Sequence, residues 1–311
     1  MKAFRLDALP YLWKEEGTNC ENLPKTHTII KLLRAAINIV DPSTVLLAEA
    51  CQPPKEVIKY FCEGDEVHAA YHFPLMPRLY LSLAKGSNRP IREVLSHEVT
   101  PPVPKDCNWF VFLRCHDELT LEMLSEEERK DLMDSYCHEE EWNFREGEGI
   151  SARLAELMQF NLEKMNLMHA LLLTIQGTPL FYYGQEWGLG NNREFYEQFV
   201  RKTGQKDSRC FVRGPMPWDK IKEFKQDKNG FHHQVNQNLT EMIRIRKRMG
   251  KLIGDPVFVE SSESQLLFER KNDKGEIFRF AYQLGEEEIQ EDMLLAKVLY
   301  SGNAGQVHSF V

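Results

Sequence analysis

Apolar residues follow two spacings along this chain. Thr44-Val45-Leu46-Leu47-Ala48 is continuous and ends at Glu49. Such a run suits a strand buried on both faces, as in a parallel sheet. Trp109-Phe110-Val111-Phe112-Leu113 reads the same way, and Ala3–Leu6, 65–73 and 179–183 read as further strands. Between them apolar positions recur at helical period. Ile29, Ile30, Leu32, Leu33, Ala36 and Ile37 predict a helix over 26–39, with Thr26 as its N-cap and Asp41-Pro42 as its end. Other helices are predicted over 54–61, 75–84, 91–97, 154–175 and 236–249. Residues 119–150 are polar and acidic and read as a helical excursion with an exposed face. Residues 188–217 read as a long loop. Beyond Gly254-Asp255-Pro256 the pattern becomes alternating, which predicts strands over 257–259, 264–270 and 277–284, with a turn at Asn272-Asp273-Lys274-Gly275.

Strands alternating with helices, and polar residues at strand ends, describe an α/β fold with its site at the C-terminal edge of a parallel sheet. About five strands precede residue 190. A doubly wound sheet and a (β/α)8 barrel both place chemistry at that edge, but five strands cannot close an eight-stranded barrel. The expected division is a β/α part over 1–250 and a small antiparallel β domain over 251–311.

Composition narrows the function. The net charge is -8 and no block of Lys and Arg stands out, which argues against a nucleic-acid partner. The run Arg244-Ile245-Arg246-Lys247-Arg248 alternates with apolar residues as a solvated helix face does. Seven cysteines, an odd count with no C-x-x-C pair, indicate neither a disulfide framework nor a zinc site. Reduced thiols of a cytoplasmic protein are the simplest reading. No apolar leader stands at the N-terminus. The longest apolar stretch, 171–183, is broken by Gly177 and Pro179 and is too short to span a membrane.

The chemistry gathers on three carboxylates. Arg5 and Asp7 sit at alternate positions of a strand and share a face. A cation so near keeps a carboxylate ionised, as a nucleophile requires; an ordinary ion pair on an edge strand is the alternative. Glu49 and Asp117 follow the other apolar runs, and His116 precedes Asp117. A retaining glycosidase needs such a set: one carboxylate to attack the anomeric carbon, a second with a raised pKa to protonate the leaving oxygen, and a third to hold the sugar hydroxyls. Taken singly, each acid has the duller explanation of capping the next helix.

Phe4-Arg5-Leu6-Asp7-Ala8, Leu46-Leu47-Ala48-Glu49-Ala50 and Leu113-Arg114-Cys115-His116-Asp117-Glu118 resemble three successive motifs of the α-amylase family of glycoside hydrolases. In that family they lie on the fourth, fifth and seventh strands of a (β/α)8 TIM barrel. Longer stretches resemble its trehalose synthase (maltose α-D-glucosyltransferase) branch: 7–12, 16–24, 72–78 and 116–123. Gly177-Thr178-Pro179-Leu180-Phe181-Tyr182-Tyr183-Gly184-Gln185-Glu186 resembles the eighth-strand region. The resemblance implies the C-terminal portion of a barrel, about strands 4 to 8, followed by the small β domain. It implies Asp7 as nucleophile, Glu49 as acid/base, Asp117 as transition-state stabiliser, and Arg5 and His116 as substrate contacts. The implied substrate is a small α-glucoside, maltose or trehalose, converted without a cofactor. An α-glucosidase or amylase-type hydrolase is the alternative.

Three departures qualify this. The first three barrel strands have no counterpart ahead of Ala3, so the isolated chain is expected to be inactive, and a non-catalytic relic is a further alternative. The branch holds a structural calcium partly through residues matching Tyr11 and Leu12, but Lys14 stands where a Glu is expected, a cation facing a calcium shell. The acceptor-side loop keeps Arg209, Arg213, Pro215, Met216 and Trp218 but has Ser208 and Cys210-Phe211 where the branch has an Asp and an Asn-Gly.

Overall fold

In a computed structural model, residues 2–285 and 308–310 are described. The rest of the expected C-terminal domain, 286–307 and 311, lies outside the described residues. The chain divides into two compact units: Met1–Leu75 with Glu93–Val111 and Gly177–Leu180, and Met76–Arg92 with Phe112–Gln176 and Phe181–Val311.

A five-stranded sheet organises the first unit. Its strands are β1 (Ala3–Leu6), β2 (Val45–Ala48), β3 (Ala69–Tyr71) and β4 (Asn108–Phe112), with β8 (Thr178–Leu180) as the fifth, in the order β1-β2-β3-β4-β8. The first four pair in parallel, with Leu6 opposite Ala48 and Tyr71 opposite Phe110. Helix α1 (Pro24–Val40) crosses from β1 to β2. It starts two residues before the expected cap, because Pro24 supplies a first-turn residue whose missing N–H costs nothing there. Thr26 is instead buried inside the helix. Leu46, Ala48, Ala70 and Trp109 from the sheet pack with Leu9, Ile30, Val57, Tyr60 and Phe61 into one core. Helix α2 (Pro54–Val57) opens the short helical segment expected over 54–61. The strand expected over 65–73 is shorter, because residues 61–66 form turns. Gly177 approaches the sheet closely, with φ at +97° and room for a Cβ only 2.7 Å from the Trp109 carbonyl oxygen.

The second unit is helical with two antiparallel sheets. Helix α3 (Leu75–Lys85) falls where periodicity predicts it, and α4 (Arg89–Val94) begins two residues before the expected 91–97 and ends three residues short of it. The stretch 119–150 is not one helical excursion. It holds β5 (Leu119–Thr120), α5 (Glu126–Tyr136), β6 (Asn143–Phe144) and β7 (Gly149–Ile150), and the three strands form a sheet in the order β5-β7-β6. Its polarity belongs to α5, which opens on a Ser125–Glu128 capping box. The helix expected over 154–175 is broken into α6 (Leu154–Leu157) and α7 (Leu162–Thr174). Gln159 and Phe160 both take positive φ, and the Asn161 side chain caps the restart by accepting from the Lys164 N–H.

The loop expected over 188–217 contains helix α8 (Arg193–Thr203), capped by the Asn192 side chain and closed by Gly204 at φ +71°. Next come α9 (Trp218–Gln226) and α10 (Phe231–Met249). The C-terminal strands β9 (Leu252–Phe258), β10 (Gln265–Asn272), β11 (Ile277–Gln283) and β12 (His308–Phe310) form a sheet in the order β12-β11-β10-β9. Pairing is antiparallel and the predicted turn joins β10 to β11. This sheet packs on α7: the Tyr282 hydroxyl lies 2.5 Å from Thr174 Oγ1, and Arg270 donates to the Thr174 carbonyl at 3.0 Å.

Candidate active site

The five predicted site residues fall into two groups, one in each unit. In the first unit β1 and β2 run in parallel register, so both strands end on the same edge of the sheet. Arg5 sits on β1, Asp7 just beyond it, and Glu49 just beyond β2. Arg5 Nη1 donates to Asp7 Oδ1 at 2.6 Å while its Nη2 donates to Glu49 Oε1. A single guanidinium therefore bridges both carboxyl groups. Ala8, at φ 44°, turns its N–H toward Glu49 Oε2 at 3.2 Å. Main-chain bonds from Glu49 N–H to Leu6 O and from Leu9 N–H to Glu49 O, both 3.0 Å, fix the two strand ends together.

Exposure separates the two acids. The Asp7 side chain is 75% exposed and that of Glu49 only 17%. Burial raises the Glu49 pKa above its ordinary value, and the Asp7 carboxyl pushes it the same way. The Ala8 N–H and the Arg5 charge pull against this without cancelling it.

In the second unit Asp117 follows β4 after four residues rather than directly. The intervening Arg114 is buried, and its Nη2 donates to the Asp117 carbonyl at 2.7 Å. His116 Nε2 lies 3.1 Å from Asp117 Oδ2. Two partners escaped sequence reasoning. Arg213 Nη2 reaches Asp117 Oδ1 at 2.5 Å and its Nε donates to the His116 carbonyl at 2.8 Å. Arg209 Nη1 stands 3.5 Å from the same carboxylate oxygen. Both arginines were legible only as loop residues, since nearly a hundred positions separate them from Asp117.

Asp207 holds Arg209 in turn, with bonds of 2.8 Å from Nε and 2.9 Å from Nη2. Burial opposes ionisation of Asp207, but Arg209, backed by Arg213, holds its carboxyl below the usual range. An acid thus stands one position before Ser208, where the expected one is missing. Glu118 beside the site is shifted the other way, raised chiefly by burial.

In the loop expected to help hold calcium, the described side chains bond locally or face solvent. The Tyr11 hydroxyl donates to Glu21 Oε1 at 2.7 Å, and the Leu12 side chain is exposed. Among the described residues, the groups of three or more acidic, His or Cys donors lying close together are Cys115–His116–Asp117 and Cys62–Asp65–Glu66. Neither includes the Tyr11–Glu21 loop.

Carboxylates at parallel strand ends, one of them with a raised pKa, are equipment for glycosyl transfer. The family model for the alpha-amylase catalytic domain matches residues 1–254. The chain belongs to the alpha-amylase family. Among curated relatives, the trehalose synthase/amylase TreS of Mycolicibacterium smegmatis is 45% identical over 219 residues, covering 69% of this chain and 34% of the relative. The trehalose synthase of Thermus thermophilus is 43% identical over 224 residues, 71% of this chain and 22% of that protein. Among solved structures, a sucrose 6F-phosphate phosphorylase from Thermoanaerobacter thermosaccharolyticum superposes with a TM-score of 0.69 at 19% identity, covering 91% of this chain and 56% of that one. That likeness shows the fold, and the parallel sheet fits as a portion of the family's barrel. The chain spans about a third or less of the length of these two curated relatives. Among the described residues, no helix is long and apolar enough to cross a membrane.

Proposed function

We propose that this family member performs retaining α-glucosyl transfer and interconverts maltose and trehalose. The observation that carries the reading is the carboxyl pair on one guanidinium, with Glu49 raised and Asp7 exposed. Two carboxyl groups held on one guanidinium and interacting with each other leave no room for the water that an inverting enzyme places between its acids, which supports retention. The similarity to trehalose synthases supports the choice of substrate.

In this reading Asp7 attacks the anomeric carbon of the non-reducing glucose of maltose, and Glu49 gives its proton to the leaving glycosidic oxygen. The released glucose turns within the site. Its anomeric hydroxyl loses a proton to Glu49 and attacks the glucosyl-Asp7 ester, which forms trehalose and frees Asp7. In the first unit Arg5 contacts the sugar; in the second the family resemblance gives Asp117, held by Arg213, the role of transition-state stabiliser and His116 that of a substrate contact. Retaining the glucose and excluding water distinguishes this from hydrolysis. We assign the chemistry to residues 1–250 and none to 251–311. All seven cysteines are free, which supports a cytoplasmic location.

Incubating maltose with the full-length protein tests the proposal. Trehalose as the main product supports it. Glucose alone makes the chain a hydrolase. No turnover by the folded full-length protein favours the non-catalytic alternative.

A further inference from the structure

In the first unit the turn at 61–66, ahead of β3, gathers donor groups that the proposed chemistry does not use. Cys62 is exposed and sits at φ 49°. Turn bonds hold it there, from its own N–H to the Lys59 carbonyl at 3.1 Å and from the Gly64 N–H to the Phe61 carbonyl at 2.8 Å. Cys62 Sγ, an Asp65 carboxylate oxygen and a Glu66 one all lie within 4.8 Å of one another. The cation position of this set is already taken by a side chain of the protein. Lys31 reaches in from α1: its Nζ lies 2.9 Å from Asp65 Oδ2 and 4.0 Å from Glu66 Oε1, and donates to Cys62 Sγ at 3.7 Å.

The contact between lysine and cysteine is fixed from both sides. His27 and Arg34 stand four residues before and three after Lys31, on the same face of α1. His27 Nδ1 lies 2.8 Å from Oε2 of the buried Glu66, and Arg34 Nη1 donates to the Glu66 carbonyl at 2.9 Å. The helix is therefore bound to the turn one step on either side of Lys31. An amine held against a thiol becomes a reactive pair once the thiol is oxidised, because a sulfenic acid condenses with a neighbouring nitrogen to give a sulfenamide.

We infer that Lys31 and Cys62 are the two ends of an oxidative cross-link, a sulfenamide between Nζ and Sγ formed when the protein meets hydrogen peroxide. The Cys62 thiolate attacks one peroxide oxygen; the S–O bond forms, the O–O bond breaks, and the leaving hydroxide takes the thiol's proton as water. The free Lys31 amine then attacks the sulfur; the S–N bond forms, the S–O bond breaks, and the hydroxide leaves with an amine proton as a second water. One thiol, one amine and one peroxide thus give one sulfenamide and two waters. Two molecules of a thiol reductant restore the pair and become a disulfide. The bond to Asp65 raises the Lys31 pKa, so the free amine grows and the second step quickens as the pH rises. The cross-link staples α1 to the turn ahead of β3 and closes a loop containing β2, the strand that ends at Glu49. None of this depends on the proposed glucosyl transfer.

Treating the purified full-length protein with hydrogen peroxide, blocking the remaining thiols with iodoacetamide and mapping the tryptic peptides by mass tests the inference. The expected product joins the peptides of Lys31 and Cys62, weighs two hydrogens less than the reduced pair and is uncut after Lys31. It should form faster in alkaline than in neutral buffer and disappear on treatment with dithiothreitol. The Lys31→Arg variant keeps the charge beside Asp65 but offers no amine to attack the sulfur. Its Cys62 should be trapped by dimedone as the sulfenic acid, with the joined peptide absent. A wild-type Cys62 that passes to sulfinic acid or into a disulfide while Lys31 stays unmodified would overturn the inference. So would a joined product that persists in Lys31→Arg.

Discussion

His169 offers a quantitative check on the second unit. It lies on α7, fully buried, and its ring meets that of Phe181 edge-on at 5.9 Å. Neither ring nitrogen has a hydrogen-bond partner. Burial drives its pKa down to about 3. Two consequences follow for His169→Leu, a swap of similar volume. An unsatisfied buried polar group costs about 1–3 kcal/mol, and the variant regains that at neutral pH. Each kcal/mol is worth roughly 2–4 °C in a chain of this size.

The second consequence is in pH. The folded pKa lies below the unfolded value, so between about 3 and 6.5 the unfolded chain takes up a proton that the folded chain refuses. Stability is complete above about pH 6.5 and falls as the pH drops, at up to about 1.4 kcal/mol per pH unit for this one group. Going from pH 7.5 to pH 5 should cost the wild type roughly 2 kcal/mol more than it costs the variant. Urea unfolding of both proteins at the two pH values measures this. The reasoning fails if His169→Leu is less stable at both, or if the two proteins lose stability equally on acidification.

Four other outcomes are expected. Glu49→Gln should lower turnover of maltose by about 10²–10⁴-fold, the usual worth of a general acid, with the circular dichroism spectrum unchanged. Arg5→Gln removes the charge that pulls the Glu49 pKa down, so the alkaline limb of the pH–rate profile should move to higher pH; a shift to lower pH would contradict the bridging geometry. Arg213→Met should lower kcat more than it raises KM, whereas Arg213→Lys should recover part of the loss by restoring charge without the bond to the His116 carbonyl. Gly177→Ala should destabilise the first unit by about 1–3 kcal/mol in chemical denaturation, since its Cβ would meet the Trp109 carbonyl in an unfavourable backbone conformation.

The sequence was most legible where one local signal sufficed. The apolar run ending at Glu49 gave β2, and the i, i+2 spacing of Arg5 and Asp7 gave their ion pair. The parallel sheet followed from alternation alone, and the number of strands ahead of residue 190 in that sheet came out right. Legibility ended where geometry depends on partners distant in the chain. Nothing near Asp117 announces Arg213, and nothing near Gln159 and Phe160 announces a left-handed break, for neither Gly nor Pro is present. Helix α8 carried its signals, an Asn cap and a closing Gly, but its many charges made it read as loop. The three short strands between 119 and 150 are two residues each, below the length at which alternation can be seen.

The Arg5 bridge has a consequence for timing within the proposed reaction. One guanidinium contacts both acids, so what happens at one is felt by the other. When Asp7 becomes an ester it loses its negative charge, and with it the interaction by which it raises the Glu49 pKa. The whole of Arg5's attraction then falls on Glu49, which has just given up its proton. Glu49 therefore becomes a weaker proton holder and stays ionised while the free sugar comes round. Hydrolysis or transfer of the ester restores the charge on Asp7, and Glu49 regains its affinity for a proton. The shared cation thus works as a clock, setting the protonation state of one acid by the bonding state of the other.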